Sequence, residues 1–270
     1  MGNYNECIAE ADKIISIFKD NTALLQNDSY FKDFVLAIYY AAIYRAFLKE
    51  IDESNQMINL LDSIADAKSR EPSLFYEIKI LYKLGAGMAS LDIKMLRNTI
   101  AEFKQLPEEI TANFDPVKRI EIFHIAANAS IIDEKPKETL EYINCIRTVK
   151  PKYLRPDIRY YARILFLVAH FDLENFDAIE TGVRAARTSY KRKMIQNPFY
   201  SAVLHMFSKI VRAQSLREKE DAIREFLAGY EGESAAIWAK MNNFFNIRAW
   251  LNSKLENRKF TDVLRQSYQL

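Results

Sequence analysis

The chain has 270 residues, of which 49% are hydrophobic and 27% charged, with a formal net charge of +2, proportions that point to a globular chain and to neither a disordered nor a membrane class. Only 6 Gly and 7 Pro are present, so long elements joined by short connections are expected, which favours helices. The charge is uneven: residues 1–113 carry 12 Lys and Arg against 17 Asp and Glu, and residues 114–270 carry 26 against 19. The second half is therefore suited to acidic partners, although its bias is weaker than that of a dedicated nucleic-acid binder.

The opening residues MGNYNECIAEAD lack the basic and apolar regions of a secretory signal, and Glu6 stands where a myristoylation motif needs Ser or Thr. Helical periodicity predicts helices over 4–19 and 29–49. The second of these contains FVLAIYYAAIYRAFL, which is too short for a bilayer span and carries Arg45, so a buried helix is expected and no membrane partner. Helices over 54–67, 73–86 and 90–105 follow, with LGAG at 84–87 read as the break between two of them. Next come 116–132, 136–148, 156–173, 176–193 and 199–213. Each of the prolines at 72, 107, 116, 136, 151, 156 and 198 suits a first turn or a loop, where its missing N–H costs nothing. From about 217 the character changes: helices over 217–228, 234–256 and 259–267 bring both tryptophans, and Trp238, Phe245 and Trp250 are expected to cap the array, or alternatively to form a dimer contact. No segment alternates like a strand. An all-α protein is expected, with a repeat region over 1–215 and a helical cap over 216–270 packed on the same unit.

Self-similarity supports the repeat. EKPKETLEYINCI (134–146) and ENFDAIETGVRAA (174–186) each follow an aromatic-rich helix and open a second helix after a short polar turn. A shift of about 39 residues pairs Thr139 with Ala178 and Leu140 with Ile179. IDESNQMINLLDSI (51–64) and, more loosely, LDIKMLRNTIAEF (91–103) repeat the same turn and second helix.

This pattern resembles the tetratricopeptide-repeat family and its relatives over roughly residues 29–215, most strongly over 116–193, where KPKETLEYI and NFDAIETGVRAA look like the turn and second helix of a unit. The spacing is nearer 40 residues than the family's usual length of about 34, and the Trp-Leu-Gly opening is absent. The resemblance implies a right-handed α-α superhelix of helical hairpins whose first helices line a concave groove, and a non-enzymatic interaction or scaffold role.

In YLRPDIRYYARILFLVAHFDLENFD (153–177), a wheel at about 100° per residue gathers Tyr161, Ile164, Leu165, Val168 and Phe171 on one side. Ala162 and Ala169 form a second flank, and Arg159, Arg163, Phe166 and His170 are left on the remaining face. In the next helix Phe176, Ile179, Val183, Ala186 and Tyr190 form the bulky stripe, while Ala178, Gly182 and Ala185 form a seam suited to close helix approach. Lys79, Arg119 and Arg159 recur at 40-residue intervals, with Lys83 and Arg163 one turn further on. Projected into one groove, these cations would suit the carboxylates of an acidic peptide or chain terminus, with Tyr82, Phe166 and His170 adding apolar contact. The structural alternative is that they are solvated side chains paired with nearby acids.

Other candidates carry less. The run RAARTSYKRK (184–193) has five cations and no acid at a helix end, where the dipole favours positive charge; the alternative is an RNA or phosphate patch. His124, His170 and His205 form no HxxxH or HExxH pair, so no metal is expected. Cys7 and Cys145 are too far apart in sequence to suggest a disulfide framework, which points to a cytoplasmic location. There is no GxSxG elbow, no phosphate-binding loop and no dinucleotide fingerprint, so neither catalytic residue nor cofactor is expected. The expectation is therefore an interaction module whose anion contacts are Lys79, Lys83, Arg119, Arg159 and Arg163, beside Phe166 and His170. A nucleic-acid-binding repeat and a peptide-sensing regulator are the alternatives. The abrupt start suits the latter part of a longer protein.

Overall fold

The computed structural model describes residues 3–64, 70–192, 198–229 and 245–268. Among them every regular element is a helix: α1 (Tyr4–Asp20), a short 3-10 turn (Thr22–Gln26), α2 (Asp28–Phe47), α3 (Ile51–Ser63), α4 (Pro72–Ser90), α5 (Ile93–Gln105), α6 (Glu108–Ala112), α7 (Pro116–Ile132), α8 (Pro136–Thr148), α9 (Pro156–Asp172), α10 (Phe176–Arg192), α11 (Pro198–Arg212), α12 (Leu216–Ala228), α13 (Ile247–Leu255) and α14 (Phe260–Tyr268). Five prolines open helices, where a preset φ helps and no N–H is needed. The chain divides into two compact units, residues 1–125 and 126–270, and in each the helices pack mainly on their neighbours in sequence. No described helix is long and apolar enough to cross a membrane.

Among the described residues five helix-to-helix reversals share one turn. Lys49, Leu91, Glu134, Glu174 and Asn257 have φ of 66°, 52°, 57°, 54° and 49°. The amide one residue later bonds back to the carbonyl five residues earlier: Glu50 to Arg45, Asp92 to Gly87, Lys135 to Ser130, Asn175 to His170 and Arg258 to Ser253, at 2.8–2.9 Å. This is a Schellman closure, which satisfies the last carbonyls of the first helix and reverses the chain into the second. In four of the five turns the fifth residue after the left-handed one, Ser54, Leu96, Thr139 or Ile179, is buried. Ser54 Oγ and Thr139 Oγ1 donate to the carbonyls of Ala42 and Ala127, each twelve residues back on the first helix.

These turns correct the alignment expected from residue identities. Glu134 and Glu174 are 40 residues apart, so Thr139 corresponds to Ile179, not to Ala178. None of the five left-handed positions is glycine, although glycine removes the Cβ clash there. Replacing the exposed Glu134 by Gly is expected to raise stability by about 0.5–1 kcal/mol, read as a higher urea midpoint at unchanged slope.

LGAG does not break a helix. α4 runs through it to Ser90 and turns at Leu91. Its glycines serve packing: a Cβ on Gly85 would collide with the Ile43 side chain, and one on Gly87 would stand 2.9 Å from Leu96 Cδ2. Gly182 does the same for α10, since a Cβ there would stand 2.9 Å from Phe166 Cε1 and 3.0 Å from Leu167 Cδ2 of α9. The expected close approach is real, and it lies within one hairpin. On α9 itself, Tyr161, Ala162, Ile164, Leu165, Val168 and Ala169 are buried as the wheel requires.

In the tail, Trp250 is fully buried in the 126–270 unit, 5.3 Å from the Phe171 ring and 6.4 Å from that of Phe245. Its Nε1 donates to Asp172 Oδ2 at 3.4 Å, and Lys254 Nζ lies 2.8 Å from Asp172 Oδ1. Burial raises the Asp172 pKa, against the Lys254 charge that lowers it. Trp238 and the rest of 234–244 in the predicted 234–256 helix lie outside the described residues; within the remainder the helix is α13.

Candidate functional site

The second unit holds a cleft of about 500 Å³ bounded by the end of α8, the 149–155 connection and the facing sides of α9 and α10. Its floor is small and apolar: Ile143, Ile146, Ala162, Gly182, Ala185 and Ala186. Tyr160 and Phe166 form the aromatic wall. Arg147, Lys152, Arg159 and Arg163, with Pro156 and Thr181, complete the lining, and no acid contributes to it.

The four cations are not equivalent. Arg159 is committed to the protein itself: Nε donates to Leu154 O at 2.9 Å, Nη1 to Ile146 O at 2.6 Å and Nη2 to Val149 O at 2.7 Å. It thereby closes the carboxyl end of α8, where carbonyls lack helical partners. Lys152 Nζ donates to the Arg147 carbonyl. Arg163 stacks over the Tyr160 ring, 5.5 Å from its centroid. Burial, foremost, and the Arg147 charge lower the Arg163 pKa, against the Tyr160 and Tyr200 hydroxyls that raise it. Neither Arg147 nor Arg163 has an ion-pair partner among the described residues. The cleft therefore presents two adjacent, unneutralised guanidinium groups over an apolar floor, a geometry that suits bidentate acceptance of an anion.

Three of the expected residues, Arg159, Arg163 and Phe166, thus meet in one cleft. His170 is their neighbour on α9, with its ring 4.3 Å from that of Phe166, a buried Nδ1 lacking a partner and a pKa pushed down by burial. Lys79 and Lys83 belong to the first unit and are spent on acids: Lys79 Nζ is 2.7 Å from Asp62 and Lys83 Nζ is 2.6 Å from Glu102. Nor does Lys79 occupy the register of the other two. Arg119 and Arg159 stand fifteen residues before Glu134 and Glu174, whereas Lys79 stands twelve before Leu91. Arg119 is half-buried on α7. Tyr82 is buried, with its hydroxyl 2.9 Å from Ser54 Oγ and 3.0 Å from Asn55 Oδ1, so it is a core residue.

The histidines also differ in register, since His124 stands ten residues before its turn residue and His170 four before its own. Among the described residues no group of three or more His, Cys, Asp or Glu converges as metal ligands would. In the basic run, Arg184 pairs with Glu180 and Arg187 donates to Ser208. The Tyr190, Lys191 and Arg192 side chains and Lys193 lie outside the described residues.

Arg147 and Lys152 were missed by a reading confined to first helices. A signal was present: RTVKPKYLR (147–155) carries four cations and no acid, directly before the proline that starts α9.

Compared with protein-family models, curated proteins and solved structures, the chain matches none. Its function is accordingly argued from the cleft.

Proposed function

We propose that the chain is a non-enzymatic protein-interaction module that takes an acidic peptide segment in the α8–α10 cleft. The observation that carries this reading is the lining of four cations and no acid around an apolar floor, with Arg147 and Arg163 unneutralised. A carboxylate side chain or chain terminus would bridge the two guanidinium groups, while an adjacent apolar side chain rests on Ile143, Ala185 and Ala186 against Phe166. The hairpins belong, on this reading, to the right-handed superhelical class resembling tetratricopeptide repeats, which the five identical turns support.

The test is fluorescence anisotropy with a labelled synthetic peptide of alternating Glu and Leu. The Arg147→Glu/Arg163→Glu double variant is expected to weaken binding by at least tenfold, while Lys79→Glu, a residue already paired and in the other unit, leaves it unchanged. No binding by the native chain, or equal binding by the double variant, sinks the proposal. Tighter binding of a single-stranded RNA oligonucleotide, with a steep loss as salt rises, would transfer the cleft to nucleic acid.

A further inference from the structure

Among the described residues, seven of the ten large apolar side chains that stay exposed fall between Ile14 and Ile51. They do not scatter. On α1 the core side is made by Ile8, Ala11, Ile15 and Phe18, and beside it Cys7, Ile14 and Ile17 form a second apolar stripe that lines a groove together with Ala11 and Phe18. α2 has almost no polar face at all, the pattern of a helix covered on every side. One of its sides nevertheless stays open, carrying Tyr30, Leu36, Tyr40 and Tyr44.

The two open stripes run beside each other and enclose a groove of about 790 Å³. The lining runs from Cys7 to Phe18 on α1 and from Tyr30 to Tyr44 on α2, so at about 1.5 Å per residue the groove is about 17–21 Å long, the length of a helix of three to four turns. Successive lining residues on each wall are three or four apart for most of its length, which is the spacing that receives the anchors of a partner helix.

Charge selects the occupant. Glu10 and Asp33 are the ionisable acids of the lining, and no Lys or Arg joins them. Glu10 shares its charge with Lys13 at 2.6 Å, whereas Asp33 is exposed and forms no ion pair among the described residues. Residues 1–113 as a whole carry 17 acids against 12 Lys and Arg. One tyrosine ring of the lining already receives a cation, since Lys118 Nζ lies 5.9 Å from the Tyr40 ring centroid. Lys118 itself is balanced by Glu121 at 3.2 Å. Two copies of this face laid together would bring acids to one apolar seam, so a second copy fits poorly.

We propose that the α1–α2 groove docks an amphipathic helix of a partner protein whose apolar stripe is flanked by Lys and Arg. The apolar stripe fills the groove over Ile14, Ile17 and Tyr40, and the flanking cations meet Asp33 and the tyrosine faces. This site is separate from the α8–α10 cleft and stands without it.

The probes are two synthetic 18-residue helical peptides with the same Leu stripe, one flanked by Lys and one by Glu. The full chain is expected to bind the Lys-flanked peptide at least tenfold more tightly, and that peptide is expected to slow alkylation of the exposed Cys7 while Cys145, in the other unit, reacts unchanged. Ile17→Glu, at a side chain 57% exposed, should abolish binding without unfolding the chain. Asp33→Lys should reverse the preference between the two peptides. Equal affinity for both peptides, unchanged Cys7 alkylation, or self-association in sedimentation that Ile17→Glu removes would each overturn the proposal.

Discussion

Replacing Arg159 by Met lowers the unfolding free energy by about 3 kcal/mol. The guanidinium joins the end of α8, through Ile146 O and Val149 O, to the connection at Leu154 O, and all three bonds are 2.6–2.9 Å long. Met keeps the aliphatic stem and removes the donors, so these partly buried carbonyls lose their partners. Each unsatisfied carbonyl costs about 1–3 kcal/mol, reduced where water can enter. Lys restores only part of the loss, because one ammonium cannot span the three acceptors that a planar fork reaches. Urea unfolding followed by circular dichroism measures the difference, and a change under 1 kcal/mol would show that the clamp is dispensable. The same geometry explains why the binding test reverses Arg147 and Arg163 and leaves Arg159 alone.

Glu77→Gln is expected to stabilise the chain at pH 8 and to leave it nearly unchanged at pH 5. Glu77 is 4% exposed and its Oε2 accepts the Asp115 N–H at 2.6 Å, at the entry to α7. Burial raises its pKa from 4.5 to about 7; the Asp115 hydrogen bond and the Lys118 charge lower it, and the Asp115 and Glu121 charges raise it further. The folded state therefore holds a proton that the unfolded chain has released. That proton costs nothing below the unfolded value, and native stability falls as pH rises from about 5 to 8. The loss integrates to about 2–3 kcal/mol. Gln keeps an acceptor for the Asp115 amide and does not titrate, so the variant curve lacks this decline. Tyr39, Asp115, Lys118 and Glu121 face the same carboxyl, and burial, foremost, pushes the Tyr39 phenol up. Denaturant midpoints at pH 5, 6, 7 and 8 test the claim, and parallel curves for the two proteins would refute it.

Helix positions were legible because their signals are local. Proline at a first turn, a polar cap and an apolar period place α7 to α10 within a residue of expectation. LGAG was misread because two glycines mark a chain break or a close contact equally well, and only the opposing Ile43 and Leu96 decide between them. After Pro107, Glu108 and Glu109 suit a loop or a helix start equally, because the five residues of α6 carry too little period to decide. Of the residues expected on the α9 face, Arg159, Arg163 and Phe166 line one cleft. Their partners Arg147 and Lys152 come from a helix end and a connection, whose placement depends on how the hairpin closes. The equal spacing of Lys79, Arg119 and Arg159 was numerical, because counting from the turns puts Lys79 three residues out of step.

Five chain reversals among the described residues use Lys, Leu, Glu, Glu and Asn at the same backbone position and close it with main-chain atoms alone. Side-chain identity there is thus nearly free to drift, whereas the spacing of amide to carbonyl is not. A copy of this unit can lose all resemblance in its letters and still be recognised as a copy by the bookkeeping of which carbonyl each amide finds. Kinship among such hairpins is carried by hydrogen-bond register, and that is the property by which further members would be sought.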